Sequence, residues 1–362
     1  MNIIIEAIVY VLAGYLSLTT TLAGYIETWL PADSGEIQDS SALAEEEMIQ
    51  LYSFFDPTFP DILLKSAAYQ QAALGAVVGL SGGNTNNPLD ALVNVFCTFE
   101  TRDYIRTTTG TGFFIDADGI ILTNAHIAQF LLLENTESFG ETSCIVRSGS
   151  PAAPEYNVGL LYISPAWIEQ NAAMVDAAVP MGTGERDYAL LYVTSTIENE
   201  PLPAAFPALN FNSELLPTSV RGNDVVAAGY PATDLIAHGP STALYARIAS
   251  TSVSELYTFG SNYADIISVR GSEVGAEGAS GGPVVSADGE VIAMITTRGN
   301  DEVDGPGSLR AITISHINRT IEEETGFTLE ENLNGNLPER AQIFADTLTP
   351  FLVSLLEEGK NQ

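Results

Sequence analysis

From about residue 90 to 315 the chain is written in short apolar runs, rich in β-branched and aromatic residues and cut apart by turns. Twelve such runs are legible: ALVNVFCTF, GTGFFI, GIILTNAH, TSCIVRS, YNVGLLYI, DYALLYV, DVVAAGY, ALYARIAST, ADIISVR, GGPVVS, EVIAMITT and LRAITIS. Each has the length of a strand and falls short of the ten or so residues that an amphipathic helix needs to bury a stripe. Asp118-Gly119 and Asp288-Gly289 sit between apolar runs and mark tight hairpins, because both residue types tolerate positive φ. A dozen short strands predict a mainly β domain, folded as barrels or a sandwich. No internal repeat of fixed period accompanies them.

The flanks have another texture. Residues 7–26 (AIVYVLAGYLSLTTTLAGYI) are an uncharged stretch of about the length that crosses a bilayer. No Lys or Arg precedes it, and the first basic residue is Lys65, so the basic start of a secretory signal is missing. The segment is read first as a membrane anchor, then as a removed signal or a buried helix of a soluble chain. Residues 42–55 and 62–80 read as helical, and SGGNTNNP (81–88) as a linker loop. Beyond Ser315 the pattern is helical again, with Phe344, Leu348, Phe351, Leu352 and Leu355 at helical spacing, as for a helix docked on the β domain. The chain thus divides into a hydrophobic segment (1–30), a helical region and linker (31–88), the strand-rich domain (89–326) and a helical tail (327–362).

Charge restricts the partners. The chain has 46 acidic and 13 basic residues, a net charge of −33. Such a field repels nucleic acid phosphates and anionic headgroups, and its plain role is a solvated acidic surface. With 46% hydrophobic and 16% charged residues the composition is that of a folded chain, not a disordered one.

Three local patterns carry chemistry. In GAEGASGGPVV (275–285), glycines flank Ser280 and let the backbone turn sharply enough to aim N–H groups at one point. A serine hydroxyl needs a base to take its proton and donors to hold the oxyanion it creates. The amides of Gly278 and Ser280 are the candidate donors. In ILTNAHIAQ (121–129), His126 follows a strand and is placed to act as that base, whereas His238 and His316 lack comparable surroundings. In RDYALLYV (186–193), Asp187 heads an apolar strand and can be buried against an imidazole, better than Asp176 or Asp234. The order His, Asp, Ser differs from that of subtilisin and of the α/β-hydrolases. Asp116, Asp118 and Gly119 open like a calcium loop, but no bidentate Glu follows at the required place, so a hairpin without metal is read there. The chemistry calls for no cofactor.

On these motifs the stretch from Val93 to about Gly326 resembles the trypsin-like serine peptidases, and its texture is closest to the bacterial Deg-type (high-temperature-requirement) members. GTGFFIDADGIILTNAHI is similar to their glycine-led strand, hairpin and histidine strand. DVVAAGYPA resembles their first second-barrel strand, GASGGPVVSADGEVIAMIT their nucleophile loop and hairpin, and LRAITISHI their closing strand. The resemblance implies two six-stranded Greek-key barrels of chymotrypsin type. The catalytic set would be His126, Asp187 and Ser280, the oxyanion hole Gly278 and Ser280, and the substrates proteins or peptides. In that fold the first and fourth strands are neighbours, which implies a disulfide between Cys97 and Cys144 and an extracytoplasmic location, membrane-anchored or secreted. Val274 stands where the resembling enzymes have the base of the specificity pocket, with Glu277 nearby, and implies cleavage after uncharged side chains. Ala279 replaces the aspartate of the chymotrypsin subgroup, residues 164–185 lengthen the loop before Asp187, and no PDZ-like module follows. The competing reading is a catalytically inactive binding module on the same scaffold.

Overall fold

Each of the twelve apolar runs forms a strand, and the strands close into two barrels. In the computed structural model residues 64–74, 83–100, 105–134, 136, 139–175, 177, 184–270, 273–299 and 307–360 are described. All of them fall in the unit Phe54–Gln362. The stretches 7–26 and 42–55, read above as an anchor and a helix, lie outside the described residues. Among the described residues no helix is long and apolar enough to cross a membrane.

The first barrel contains β1 (Leu92–Glu100), β2 (Ile105–Phe114), β3 (Ile120–Thr123), β4 (Glu141–Ser148), β5 (Ala153–Ile163) and β6 (Ala189–Thr196). The second contains β7 (Asp224–Gly229), β8 (Arg247–Tyr257), β9 (Ile266–Val269), β10 (Pro283–Ser286), β11 (Val291–Arg298) and β12 (Leu309–Thr313). Around the first barrel the order is β1-β2-β3-β6-β5-β4, and around the second it is β7-β8-β9-β12-β11-β10, the same path six strands later. Closure leaves neither barrel with an edge strand. Val93, Val95, Cys97 and Phe99 recur at the two-residue period of a half-buried strand and enter the first core. Val225, Ala227, Ile267, Val284 and Ile295 help to build the second. The Asp118-Gly119 turn is the hairpin between β2 and β3, with the Asp118 amide donating to Asp116 Oδ1 at 2.8 Å and Gly119 at φ +89°.

Strands β1 and β4 are antiparallel neighbours with Cys97 opposite Cys144, their Cα atoms 4.1 Å apart, and the two are joined by a disulfide. The bond closes a loop of 47 residues. Removing it in a Cys97→Ala/Cys144→Ala double variant should cost on the order of 4 kcal/mol through the freedom gained by the unfolded chain. Urea midpoints of the variant and the oxidised wild type measure this, and equal midpoints would refute it.

The tail docks through part of the predicted stripe, with Phe351 and Leu355 half-buried and Leu356 buried instead, and residues 337–360 form two helices. They are α6 (Leu337–Thr347) and α7 (Thr349–Lys360), and the break falls where Pro350 has no N–H to continue the ladder. Phe344, Leu348, Leu352 and Leu356 pack in the first-barrel core with Trp167 and Ile168 of α3 (Pro165–Asn171). That helix lies in the 164–185 insertion and is capped by Ser164, whose Oγ accepts from the Trp167 amide at 3.2 Å. A Cβ on Gly359 would lie 2.4 Å from the Ala172 carbonyl carbon, so glycine is what lets α7 seat here. The insertion is a docking platform for the tail. At the other end of the chain, α1 (Ala67–Leu74) is tied to the tail by buried Arg340, which donates to the Tyr69 hydroxyl at 3.1 Å.

Helix α5 (Ile314–Thr325) leaves β12 with Thr313 as its cap and His316 in its first turn. Buried Asp265 receives His316 Nδ1 at 3.0 Å and also Arg319. Burial alone would raise its carboxyl, but hydrogen bonds from Ser261, the Phe259 amide, His316 and Thr258 hold it well below the usual carboxylate range.

Candidate active site

Strand β3 ends at Thr123 and the chain turns at once into the short helix α2 (Ala125–Ala128), whose second residue is His126. Asp187 lies two residues before β6 and is fully buried, and His126 is 6% exposed. The carboxylate and the imidazole meet with Asp187 Oδ2 2.8 Å from His126 Nδ1. Asp187 Oδ1 also accepts from the His126 amide at 2.9 Å, so ring and backbone of one residue are gripped by one side chain. A third donor, Thr296 Oγ1 on β11, reaches Oδ2 at 2.7 Å. A carboxylate accepting at Nδ1 fixes the neutral ring's proton there and leaves Nε2 as the basic nitrogen. Asn124 completes the frame, its Nδ2 donating to the Asp187 carbonyl at 2.8 Å.

Ser280 is carried by the second barrel, in the loop that precedes β10. Its hydroxyl donates to the Thr296 carbonyl at 3.2 Å, so the hydroxyl and the carbonyl of one threonine serve Asp187 and Ser280 respectively. Glycine is required around it on steric grounds. At Gly278, with φ +91°, a Cβ would lie 2.6 Å from the Tyr230 carbonyl oxygen. At Gly281, with φ +89°, it would lie 1.8 Å from that of Thr111. The loop is pinned by the Gly281 amide on the Ile295 carbonyl at 2.7 Å and by the Ala232 amide on the Glu277 carbonyl at 2.7 Å. Thr111 of β2 reaches over from the first barrel. Its amide donates to the Ser280 carbonyl at 2.8 Å, its hydroxyl donates to the Gly278 carbonyl at 2.6 Å, and it accepts from the Tyr230 amide at 2.9 Å. Among the described residues, the amides of Gly278 and Ser280 have no backbone acceptor. Two N–H groups two residues apart, with no carbonyl to satisfy them, can hold a developing negative charge.

These groups face one cleft between the barrels, of about 510 Å³. Residues 107–109 of β2 and His126 line one wall, and Gly278, Ser280 and residues 295–299 the other. Leu235 and Ile236 of α4 (Thr233–His238) and Pro240 close one end. Of the two residues read as pocket determinants, Glu277 lines the cleft and Val274 does not. Val274 is fully buried in the second-barrel core, its Cγ1 against the backbone of Gly229. The reason is a tight turn at Gly275, where the Ala276 amide donates to the Val274 carbonyl at 2.7 Å and sends the next side chains the other way. Leu309, Ala276 and Arg298 line the cleft in its place. His238 is exposed at the end of α4 and His316 is buried behind β9, so neither shares the cleft with Ser280. Thr111, Asn124 and Thr296 were not singled out by sequence reasoning; a threonine within a strand carries no signal that separates a buried donor from an ordinary strand residue.

A family model described as "Trypsin-like peptidase domain" matches residues 110–294, just over half of the chain. Among solved structures, the chain is similar to the Rv3671c protease from M. tuberculosis in its active form. The identity is 18%, the TM-score 0.40, and the match covers 75% of this chain and 88% of that one. No curated protein matches the chain.

Proposed function

The chain belongs to the trypsin-like peptidase family, and from that premise we propose that it is a serine endopeptidase with Ser280 as nucleophile, His126 as base and Asp187 as its partner. In this reading the Ser280 hydroxyl attacks a peptide carbonyl carbon while His126 Nε2 takes its proton. The oxyanion then forms against the Gly278 and Ser280 amides, and buried Asp187 stabilises the imidazolium. His126 returns the proton to the leaving amine. Water repeats the sequence on the acyl-enzyme, with the same base and the same hole. The observation that carries the reading is the Asp187–His126 contact at 2.8 Å, beside a cleft that also holds Ser280 and two amides without a backbone acceptor among the described residues.

The disulfide supports an extracytoplasmic site of action, membrane-anchored through residues 7–26 or secreted, because such bonds persist in oxidising compartments. A fluorophosphonate probe tests the reading directly. Stoichiometric labelling of the wild type, absent in Ser280→Ala, is expected, and an unlabelled wild type would favour the inactive binding module instead.

With Val274 turned into the core, the expectation for the side chain before the cleaved bond rests on Ala276 and Leu309, two apolar groups lining the cleft. Peptide-library profiling should show preference for uncharged aliphatic residues there. A preference for Arg or Lys would assign recognition to Glu277 instead.

A further inference from the structure

Asp187 is held by its neighbours in an unusual way. Arg186 adopts φ +57°, one of two positive values among the described non-glycine residues. The Tyr188 amide donates to the Arg186 carbonyl at 2.8 Å, so Asp187 is the central residue of a three-residue turn, with its side chain buried against His126. A non-glycine residue keeps such a backbone only where the surroundings over-determine it.

What over-determines it is helix α5. The Arg186 guanidinium contacts Glu324 Oε1, and its other terminal nitrogen reaches Glu323 Oε2 at 3.2 Å. Glu324 is 2% exposed and is held in turn by the Tyr162 hydroxyl and by Ser164 Oγ at 2.8 Å. One helical turn earlier, Thr320 Oγ1 lies 2.7 Å from the Tyr188 hydroxyl, and the Tyr188 ring stacks on Tyr162 at 5.9 Å. The residues before and after Asp187 are therefore both fastened to the same face of α5, through side chains that do not line the cleft. A buried ion pair adds little stability over an apolar pair of equal volume, but it fixes direction. A two-point grip on the flanks of a turn is suited to that task.

We infer that Glu324, with Arg186 and the Tyr188–Thr320 pair, is a positioning device that sets the angle at which Asp187 meets His126. The inference rests on the serine peptidase reading above. In it α5 acts on turnover through the Asp187 turn and touches no substrate.

The test uses the full chain, with kcat and KM measured on a peptide substrate and the far-downfield proton of the His126 Nδ1–H···Asp187 bond followed by NMR. Glu324→Gln and Arg186→Ala should lower kcat by about ten- to a hundredfold, because small displacements of a reacting group are that costly. KM should stay within about twofold of the wild type, since no substrate contact is lost. The downfield proton should broaden or vanish in both. Arg186→Lys keeps the charge near Glu324 and should restore most of kcat and the resonance, which a loss of packing alone would not do. An unchanged kcat in folded Glu324→Gln, or a loss carried by KM, would overturn the inference. Should the first two variants not fold, Thr320→Val decides, because it removes one hydroxyl at equal volume. Its unaltered kcat and resonance would then overturn the inference, and a lowered kcat with a broadened resonance would support it. A wild type that takes up no fluorophosphonate would instead sink the peptidase reading, with the His126 resonance across the variants still judging the clamp.

Discussion

Ser280→Ala is expected to abolish peptide hydrolysis and to leave the fold unchanged. The substitution removes one oxygen from a half-exposed cleft position, and among the described residues the hydrogen bond of that hydroxyl goes to the Thr296 carbonyl. Nothing in either barrel core depends on it. The rate effect should be on the order of a millionfold in kcat, because nucleophile and base act as a unit. For the same reason His126→Ala should lose about as much, and the double variant hardly more than either single one. Circular dichroism and thermal unfolding should not separate Ser280→Ala from the wild type. Near wild-type turnover in both single variants would end the assignment of nucleophile and base.

Gly278→Ala is the second large effect, and its origin is the backbone. The added Cβ would meet the Tyr230 carbonyl oxygen at 2.6 Å and the Ala232 Cβ at 2.7 Å, in a conformation at φ +91° that L-residues rarely adopt. The loop must move to relieve this, and the amides of Gly278 and Ser280 move with it. Losing the oxyanion donors should lower kcat by about a hundred- to a thousandfold. The Asp187–His126 contact belongs to the other barrel and should survive. Fluorophosphonate labelling should slow in parallel with hydrolysis, because the phosphonyl oxygen needs the same donors. A Gly278→Ala variant with full kcat would place the oxyanion hole elsewhere.

The strands were legible because each one is a short β-branched run between turn residues, and the hairpins because Asp-Gly pairs tolerate the required φ. The order of strands around each barrel came from family resemblance, since pairing runs through backbone N–H and C=O groups that every residue shares. This is also why two barrels with one strand path show no repeat in sequence: inward alternation constrains polarity and leaves identity free. His126, Asp187 and Ser280 stood out because their chemistry is scarce and their order specific. Thr296 and Thr111, which bind the same groups from strand positions, look like any other strand threonine. Val274 is placed at the pocket base by resemblance alone, and its burial in the second-barrel core beside the turn at Gly275 rests on backbone geometry that the sequence does not display. In the tail, helical spacing gives Phe344, Leu348 and Leu352 but not Leu356, because a single helical register cannot show the break at Pro350 where one helix becomes two.

His126 and Asp187 stand on the first barrel and Ser280 on the second, with Thr111 joined to the Ser280 loop by two hydrogen bonds and to the Tyr230 amide by a third. A peptidase built from that set, as proposed, would be a coincidence detector, competent only while both halves are folded and in register. Slight parting of the seam would silence it long before either half melted. Mild denaturant should therefore extinguish turnover at concentrations where the far-ultraviolet signal is still native, and a small molecule wedged into the seam would inhibit without competing for substrate. Control of such a molecule does not require unfolding, only a loosened joint.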